Sequence, residues 1–400
     1  MEKILRTLDV EKNDIGDDEL IDIIKIIQSR YPCNVDLATK LVEIYVASGE
    51  SLIFPNKICI DVASTGGPSS LSTLLIPLFF SCVGLSVPKL GISGRPAGAI
   101  DSLAQIPNYS IQLNDCDIYR IIDQCNYAHF LANKNFTPLD ARIIRIRKKH
   151  GAMDVPTLAT ASLLSKKISV GVSIAGLDIR VAPHGNMGAT WSEANKNAAF
   201  FKKVADSLGI QAITILTDAR FPFQPFIGRR ESLIALMLLF EQKASKWLAF
   251  HYEQCRQMAL ICAPLNYKGR VSEITINHLK KAFIDNLQAQ GANYNEFYNV
   301  ANEAFLQHTI FILAEADGFI SYNLEKMRNI ITEKQTEQNN LSFTDPIGLH
   351  LLKNAGEWVR NGEPIVSVRC AENEKQIVER LKPILTIDPW HAQSYSLEEV

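Results

Sequence analysis

Along the first fifty residues, apolar side chains recur with helical spacing. Leu20, Ile23, Ile24 and Ile27 share one side, and Leu37, Leu41, Ile44 and Tyr45 repeat the pattern after a break at Pro32. The period predicts a small helical bundle over residues 1–55. The texture then changes. A short β-branched run from Ile58 to Val62 ends in Ser64-Thr65-Gly66-Gly67, and the most apolar window, Leu71 to Val87, follows at once. That window is long enough to suggest a membrane span, yet it holds Ser72, Thr73, Pro77, Ser81, Gly84 and Ser86, so it reads as a buried helix leading into a strand. Leu85 to Val87 leads in turn to Lys89-Leu90-Gly91-Ile92-Ser93-Gly94-Arg95. Strand, glycine loop, helix, strand, glycine loop is an α/β pattern.

Helical periodicity returns from 138 to 169, punctuated by Gly151 and Pro156. Alternation then resumes: a strand near Ile179–Val181, a helix from Ser192 to Leu208, a strand at Ala212–Leu216 and a helix from Arg230 to Phe240. Beyond residue 308, short strand candidates surround Gly318-Phe319-Ile320, Ile347-Gly348-Leu349 and Ile365-Val366-Ser367-Val368, and the polar stretch Glu333–Asn340 reads as a surface loop. The expected fold is therefore α/β. A helical domain is built from two chain segments, 1–55 and 138–170. A larger mixed α/β-sheet domain takes 56–137 and 171–307, and a C-terminal β-rich lobe takes 308–400.

Composition excludes more than it proposes. In 400 residues, 47% are hydrophobic and 21% charged, which rules out a disordered chain and provides for more than one domain. A formal charge of −2 gives no global field to gather polyanions, so no nucleic-acid partner is expected. The eight cysteines form no C-x-x-C pair and no zinc-like cluster with histidine; neither a metal nor a redox motif is expected, and buried thiols are. Met1-Glu2-Lys3-Ile4 lacks the apolar core of a secretory signal, so the cytoplasm is the expected compartment, with no membrane partner.

The strongest chemical signal is Asp61 through Thr73. Paired glycines after a strand let the backbone approach an anion, neighbouring hydroxyls donate hydrogen bonds, and the next helix points the positive end of its dipole at the site. A tight turn holding nothing is the plain alternative. Ser93-Gly94-Arg95 opens a second glycine loop with two cations, Lys89 and Arg95, and two such loops side by side at the carboxyl edge of one sheet favour a phosphate site. Ser162 and Lys166 share a helix face in a stretch too apolar to be solvated, so that lysine needs a partner or a ligand. Arg147 lies in a basic run with Arg142, Arg145, Lys148 and Lys149 that would otherwise be a solvated face. His184, in Ala182-Pro183-His184-Gly185-Asn186 at a strand end, could shuttle a proton or bond only to backbone.

Over nearly its whole length, the chain resembles the thymidine and pyrimidine nucleoside phosphorylases, a family structurally akin to anthranilate phosphoribosyltransferase. The match is best from Pro138 to Lys167, with Arg147 fifteen residues before Ser162 in Thr160-Ala161-Ser162-Leu163-Leu164-Ser165-Lys166-Lys167. Further matches are Ser64-Thr65-Gly66-Gly67, Ser93-Gly94-Arg95, Leu216-Thr217-Asp218 with Gly228, and Gly356-x-x-Val359-x-x-Gly362-x-Pro364. The resemblance implies a cytosolic homodimer in which an α-domain closes on an α/β-domain. It implies Arg147, Ser162 and Lys166 on the pyrimidine ring, and Ser64, Thr65, Gly66, Gly67, Thr73 and Ser93 around phosphate.

The departures bear on the same site. Where the family has Asp-Lys-His-Ser-Thr-Gly-Gly, this chain has Asp61-Val62-Ala63-Ser64-Thr65-Gly66-Gly67, so a phosphate-binding lysine and a histidine are missing. The segment after Arg95 is shorter by about four residues than the family's glycine-rich one. Lys89 is the candidate replacement cation. The expected activity is phosphorolysis of a pyrimidine nucleoside, with inorganic phosphate as co-substrate and no other cofactor. Arg147, Lys166 and His184 are the expected catalytic residues. A phosphoribosyltransferase or nucleotide phosphorylase on the same scaffold, or a non-catalytic nucleoside-binding protein, are the alternatives.

Overall fold

The protein is described by a computed structural model at residues 1–8, 15–67, 69–95, 97–132, 135–336, 343–370 and 374–389. Helices α1 (Glu2–Thr7), α2 (Asp17–Arg30) and α3 (Val35–Ala47) open the chain. α3 begins where the Asn34 side chain accepts from the Leu37 N–H, satisfying a donor the helix leaves orphaned. Strand β1 (Ile60–Ser64), helix α4 (Ser72–Cys82) and strand β2 (Val87–Gly91) follow, then α5 (Ala99–Leu103), α6 (Asp115–Cys125) and β3 (Tyr127–Leu131). The second helical segment forms α7 (Pro138–Lys149) and α8 (Pro156–Ser169), each with proline in its first turn, where no N–H is needed. Next come β4 (Ile174–Val181), α9 (Trp191–Ser207), β5 (Gln211–Asp218), β6 (Phe226–Ile227) and α10 (Arg229–Phe240). Four helices, α11 (Lys246–Cys262), α12 (Leu265–Ser272), α13 (Ile276–Ala289) and α14 (Tyr294–Leu306), precede the C-terminal lobe. That lobe holds β7 (Ile310–Leu313), β8 (Gly318–Tyr322), α15 (Leu324–Thr336), β9 (Ile347–Leu351), β10 (Trp358–Val359), β11 (Pro364–Cys370), α16 (Glu374–Leu381) and β12 (Leu385–Asp388).

The fold is mixed α/β, as the pattern predicts. β1, β4 and β5 run parallel, β2 and β3 run parallel, and one parallel bridge, Cys59 to Ser86, joins the two sets in the order β3-β2-β1-β4-β5. Past that bridge no ladder links β1 to β2. Lys89 fills the gap, donating to the Val62 carbonyl at 2.9 Å and to Asp61 Oδ1 at 2.5 Å. α4 packs behind the sheet with Leu74, Leu75, Ile76, Leu78, Phe79 and Phe80 buried. At about 1.5–3 kcal/mol for each such side chain, this helix is a principal source of the sheet's stability.

α1–α3, α7 and α8 share one core, which brings the two helical segments together. The core does not stop at residue 170. Ala175, Leu177, Ile179 and Val181 of β4 and Phe200, Phe201 and Val204 of α9 complete it, so the helical segments are packed directly onto one face of the sheet. The C-terminal lobe has its own core, formed by β-strands together with Leu324, Met327, Ile330 and Ile331 of α15. α15 corrects the expectation of a loop from 333: residues 333–336 are its last turn, and 337–340 lie outside the described residues. The lobe is anchored to α10 by buried Glu231, which accepts from Arg369 at 2.7 and 3.0 Å and meets His308 Nε2 at 3.0 Å.

Two smaller expectations also shift. β2 runs on to Gly91, so Lys89 is a mid-strand residue instead of the strand's last one, and it pairs with Asp61. Cys59, Cys255 and Cys262 are buried, but Cys33, in the turn between α2 and α3, and Cys116, on α6, are exposed.

Candidate active site

The sheet order reverses direction between β1 and β4, and the loops after β1 and β2 leave the carboxyl edge beside that point, where open α/β sheets form a crevice. Here the crevice is a cleft of about 390 Å3. One wall carries Ser64, Gly66, Gly67, Ser70, Thr73 and, from the β2 loop, Gly91, Ile92, Gly94, Arg95, Ala97 and Gly98; the opposite wall carries Lys148 of α7 and Leu163, Lys166 and Lys167 of α8. Arg328, Asn329 and Thr332 of α15 form a third side. Gly66 and Gly67 have φ of +120° and +114°, a region other residues avoid. A side chain at Gly67 would also collide with the Arg180 guanidinium, its Cβ falling 2.7 Å from Nη1.

Seven of the described lining residues are cationic, Lys89, Arg95, Lys148, Lys166, Lys167, Arg180 and Arg328, and none is acidic. The carboxylates stand one layer behind. Fully buried Asp61 pairs with both Lys89 and Lys167, Asp140 pairs with Lys166, and Asp178 receives Arg180 Nε at 3.0 Å. Burial pushes the Asp61 carboxyl up, but Lys167 and Lys89 outweigh it and hold it at about 2. One carboxylate facing two ammonium groups leaves a positive charge over at the cleft floor. Burial pulls the pKa of Lys89 and of Lys166 down, and the facing aspartates oppose it.

Of the phosphate candidates, Ser64, Gly66, Gly67, Thr73 and Lys89 line the cleft. Thr65 and Ser93 do not: the Thr65 hydroxyl accepts from the Arg180 N–H at 2.9 Å and braces the loop, and Ser93 faces outward between lining neighbours. Of the base candidates, only Lys166 lines the cleft. Ser162 accepts from Lys166 Nζ at 2.9 Å and approaches Asp140 Oδ2 at 3.2 Å, so it positions that lysine. Arg147 is 2% exposed and turned inward, donating to the carbonyls of Ala152 (2.9 Å), Met153 (2.9 Å) and Leu158 (3.2 Å). It clamps the α7–α8 connection instead of facing the cleft. His184 also lies off the lining, which Asn186 reaches instead.

His129, Lys148, Lys167, Arg180 and the α15 residues escaped the sequence reading. Arg180 donates to the Gly66 carbonyl and, at 2.9 Å, to Ser72 Oγ, and its guanidinium stacks over Phe223 at 5.0 Å. Burial holds the His129 imidazole well below its ordinary pKa; Tyr127 Oη lies 2.8 Å from its Nδ1. A usable signal did exist for part of the set. Asp61, Lys89, Asp178 and Arg180 are charged residues inside strands buried along most of their length, where a charge must be paired.

No family model matches the chain. Curated relatives do: it is 22% identical over 362 residues to the pyrimidine-nucleoside phosphorylase of Staphylococcus epidermidis, covering 86% of this chain and 82% of that one. The pyrimidine-nucleoside phosphorylase of Geobacillus stearothermophilus is 22% identical over 330 residues, with 78% and 74% covered. The thymidine phosphorylase of Sinorhizobium medicae is 31% identical over 188 residues, 45% of this chain and 42% of that protein. Among solved structures, the anthranilate phosphoribosyltransferase from Saccharomyces cerevisiae in complex with PRPP and Mg superposes with a TM-score of 0.51 at 13% identity, over 75% of this chain and 92% of that one.

Proposed function

We propose that this divergent relative of the pyrimidine-nucleoside phosphorylases is a pentosyltransferase that uses inorganic phosphate to cleave a pyrimidine nucleoside. The observation that carries the reading is the cleft itself: cations on every wall, glycine loops at the sheet edge and the carboxylates held behind. In the reaction, a phosphate oxygen forms a bond to the anomeric carbon of the pentose while the bond from that carbon to the ring nitrogen breaks. The electron pair leaves with the base, and a proton from phosphate or solvent neutralises it. The chain must therefore orient an anion, stabilise charge on a departing ring and exclude water; no covalent intermediate is needed.

On this reading Lys89 and Lys167 supply the charge at the phosphate, with Ser64, Thr73 and the Gly66–Gly67 amides as donors. Lys89 takes over from the lysine absent at position 62. Lys166, aimed by Ser162 and Asp140, faces the oxygens of the leaving pyrimidine. A cytosolic homodimer belongs to the same proposal. The test is an assay of free base released from a panel of pyrimidine nucleosides with and without phosphate. Release that requires phosphate is expected; ligand binding without release from any substrate overturns the reading in favour of a binding protein.

A further inference from the structure

His129 of β3 is buried and lines the cleft, yet the fold engages only one of its ring nitrogens. It is the register partner of Lys89 across the parallel β2–β3 ladder, so both side chains leave the sheet on the same face. Its neighbours hold it in place. The Gln290 side chain, just past α13, accepts from the His129 N–H at 2.9 Å and donates to the His129 carbonyl at 2.9 Å. Asn286 of α13 donates to the Tyr127 carbonyl at 2.8 Å, and the Tyr127 hydroxyl in turn lies 2.8 Å from His129 Nδ1.

The tautomer follows from where the hydrogens can go. Tyr127 is 2% exposed, and among the described residues its hydroxyl has no partner besides Nδ1. A hydrogen on Nδ1 would leave the phenol hydrogen buried without an acceptor, so Tyr127 donates to Nδ1 and the hydrogen of the neutral ring sits on Nε2. Burial keeps the ring neutral at pH 7 by holding its pKa well below the ordinary value; Lys89 and Lys167 push the same way, and Asp61 opposes them. No hydrogen bond reaches Nε2 among the described residues. Gly91 keeps that nitrogen uncovered: its extended backbone does not require glycine, but a Cβ there would stand 3.1 Å from Nε2, as well as 2.8 Å from Ile100 Cβ.

We propose that His129 is a phosphate ligand that donates its Nε2–H to an oxygen of the anion bound beside Lys89, with Tyr127 as the positioning residue that fixes the tautomer. The inference rests on the reading of the cleft floor as a phosphate site. A neutral N–H that accepts nothing suits a phosphate oxygen better than a ribose hydroxyl, whose own hydrogen would find no acceptor on the ring. It supplies direction where Lys89 and Lys167 supply charge. It does so without adding a further positive charge to a floor that Asp61 balances only in part.

Calorimetric titration of inorganic phosphate into the full chain and into His129→Phe and His129→Gln reads the contact. His129→Phe should weaken phosphate about tenfold or more, and His129→Gln, which returns an N–H donor, should recover part of the loss, while uridine affinity stays within about twofold in both. Unchanged phosphate affinity in His129→Phe, or no phosphate binding by the parent, overturns the proposal. Nitrogen NMR of the isotope-labelled histidine rings, with His129 assigned by its absence from His129→Gln, reads the tautomer in the parent whether or not His129→Phe folds. Nε2 should carry the hydrogen at pH 7, its resonance should move when phosphate is added, and Tyr127→Phe should let the Nδ1-protonated form appear. A hydrogen on Nδ1 in the parent, or an Nε2 signal indifferent to saturating phosphate, overturns the ligand; a tautomer unmoved by Tyr127→Phe overturns the role of Tyr127. Release of free base from uridine reads the reaction separately. Phosphate-dependent release with unaltered phosphate affinity in His129→Phe leaves the function standing and removes the ligand. Phosphate affinity that depends on His129, without release from any pyrimidine nucleoside, keeps the ligand and removes the reaction.

Discussion

The two walls of the cleft hold the same kinds of residue and commit them differently. On the sheet wall, Asp61 answers two lysines, Lys89 of β2 and Lys167 reaching across from α8, so one ammonium charge is spare and faces the cleft. On the helix wall, Lys166 has Asp140 to itself and Arg147 spends its donors on three backbone carbonyls. Identity in a motif is therefore not availability: what decides whether a cation can meet a ligand is how many internal acceptors already claim it. The sheet wall is poised for an anion. The helix wall is mostly structure: of the three lysines it brings to the cleft, Lys166 and Lys167 are held by Asp140 and Asp61.

The largest effect should come from breaking the sheet wall at its carboxylate. Asp61→Asn leaves Lys89 and Lys167, 5% and 7% exposed, without a counter-charge. Removing one member of a buried ionic group costs about 3–5 kcal/mol, readable as a lower urea midpoint. Acid should act in the same direction. Asp61 is held at about 2 against an ordinary 3.8, so its stabilisation is complete above the ordinary value and is lost as pH falls through about 2. The Asn variant should lack that part of the acid limb. A variant as stable as the parent at pH 7 would mean that the lysines find solvent and the triad is not closed.

Arg147→Ala comes next and tests the other wall. Three carbonyls lose charged donors, and a loss on the order of 3 kcal/mol is expected, with activity falling only as the folded fraction falls. Thermal unfolding followed alongside KM for the nucleoside decides it. Unchanged stability with a raised KM would mean that the guanidinium swings into the cleft when a base arrives, making the two walls alike.

The contrast also explains what the sequence could and could not say. The alternation of strands and helices, the two glycine loops and the pairing of the two helical segments were all legible, because each follows from periodicity or backbone geometry. Lys89 was legible as a cation at the end of the strand before the glycine loop but not as one already paired, because its partner, Asp61, lies twenty-eight positions earlier on another strand. Arg147 looked available because its acceptors are backbone carbonyls, which any sequence possesses. α15 was hidden because its apolar stripe, Leu324, Met327, Ile330 and Ile331, lies among strand candidates, and its polar side gains meaning only when the lobe is docked over the cleft.

Lys89→Ala sharpens the sheet wall without breaking it. Asp61 and Lys167 remain as a one-to-one pair, so the fold should tolerate a change that Asp61→Asn does not permit. Inorganic phosphate affinity should fall about ten- to a hundredfold, or roughly 1.5–3 kcal/mol for one charge-assisted contact, with nucleoside affinity changing far less. Because Lys89 is buried at the cleft floor, the loss should persist at high salt. Phosphate titrations of parent and variant that coincide would leave Lys89 as a structural plug between β1 and β2.

The smallest effect is expected at His184, which stands on neither wall. It is half-buried in the connection from β4 to α9 and does not line the cleft, although Asn186, two residues on, does. Burial lowers the pKa of its imidazole, Arg328 lowers it further and Glu325 opposes both, so the ring is neutral at pH 7. A neutral ring away from the reacting atoms can neither donate to the departing base nor hold the phosphate. His184→Ala should therefore change kcat/KM by less than about threefold, and the profile between pH 6 and 8 should show no ionisation that disappears with the histidine. A drop of tenfold or more, together with the loss of such an ionisation, would put the β4–α9 connection into the site as a third catalytic wall. It would also undo the contrast between a sheet that offers charge and helices that withhold it.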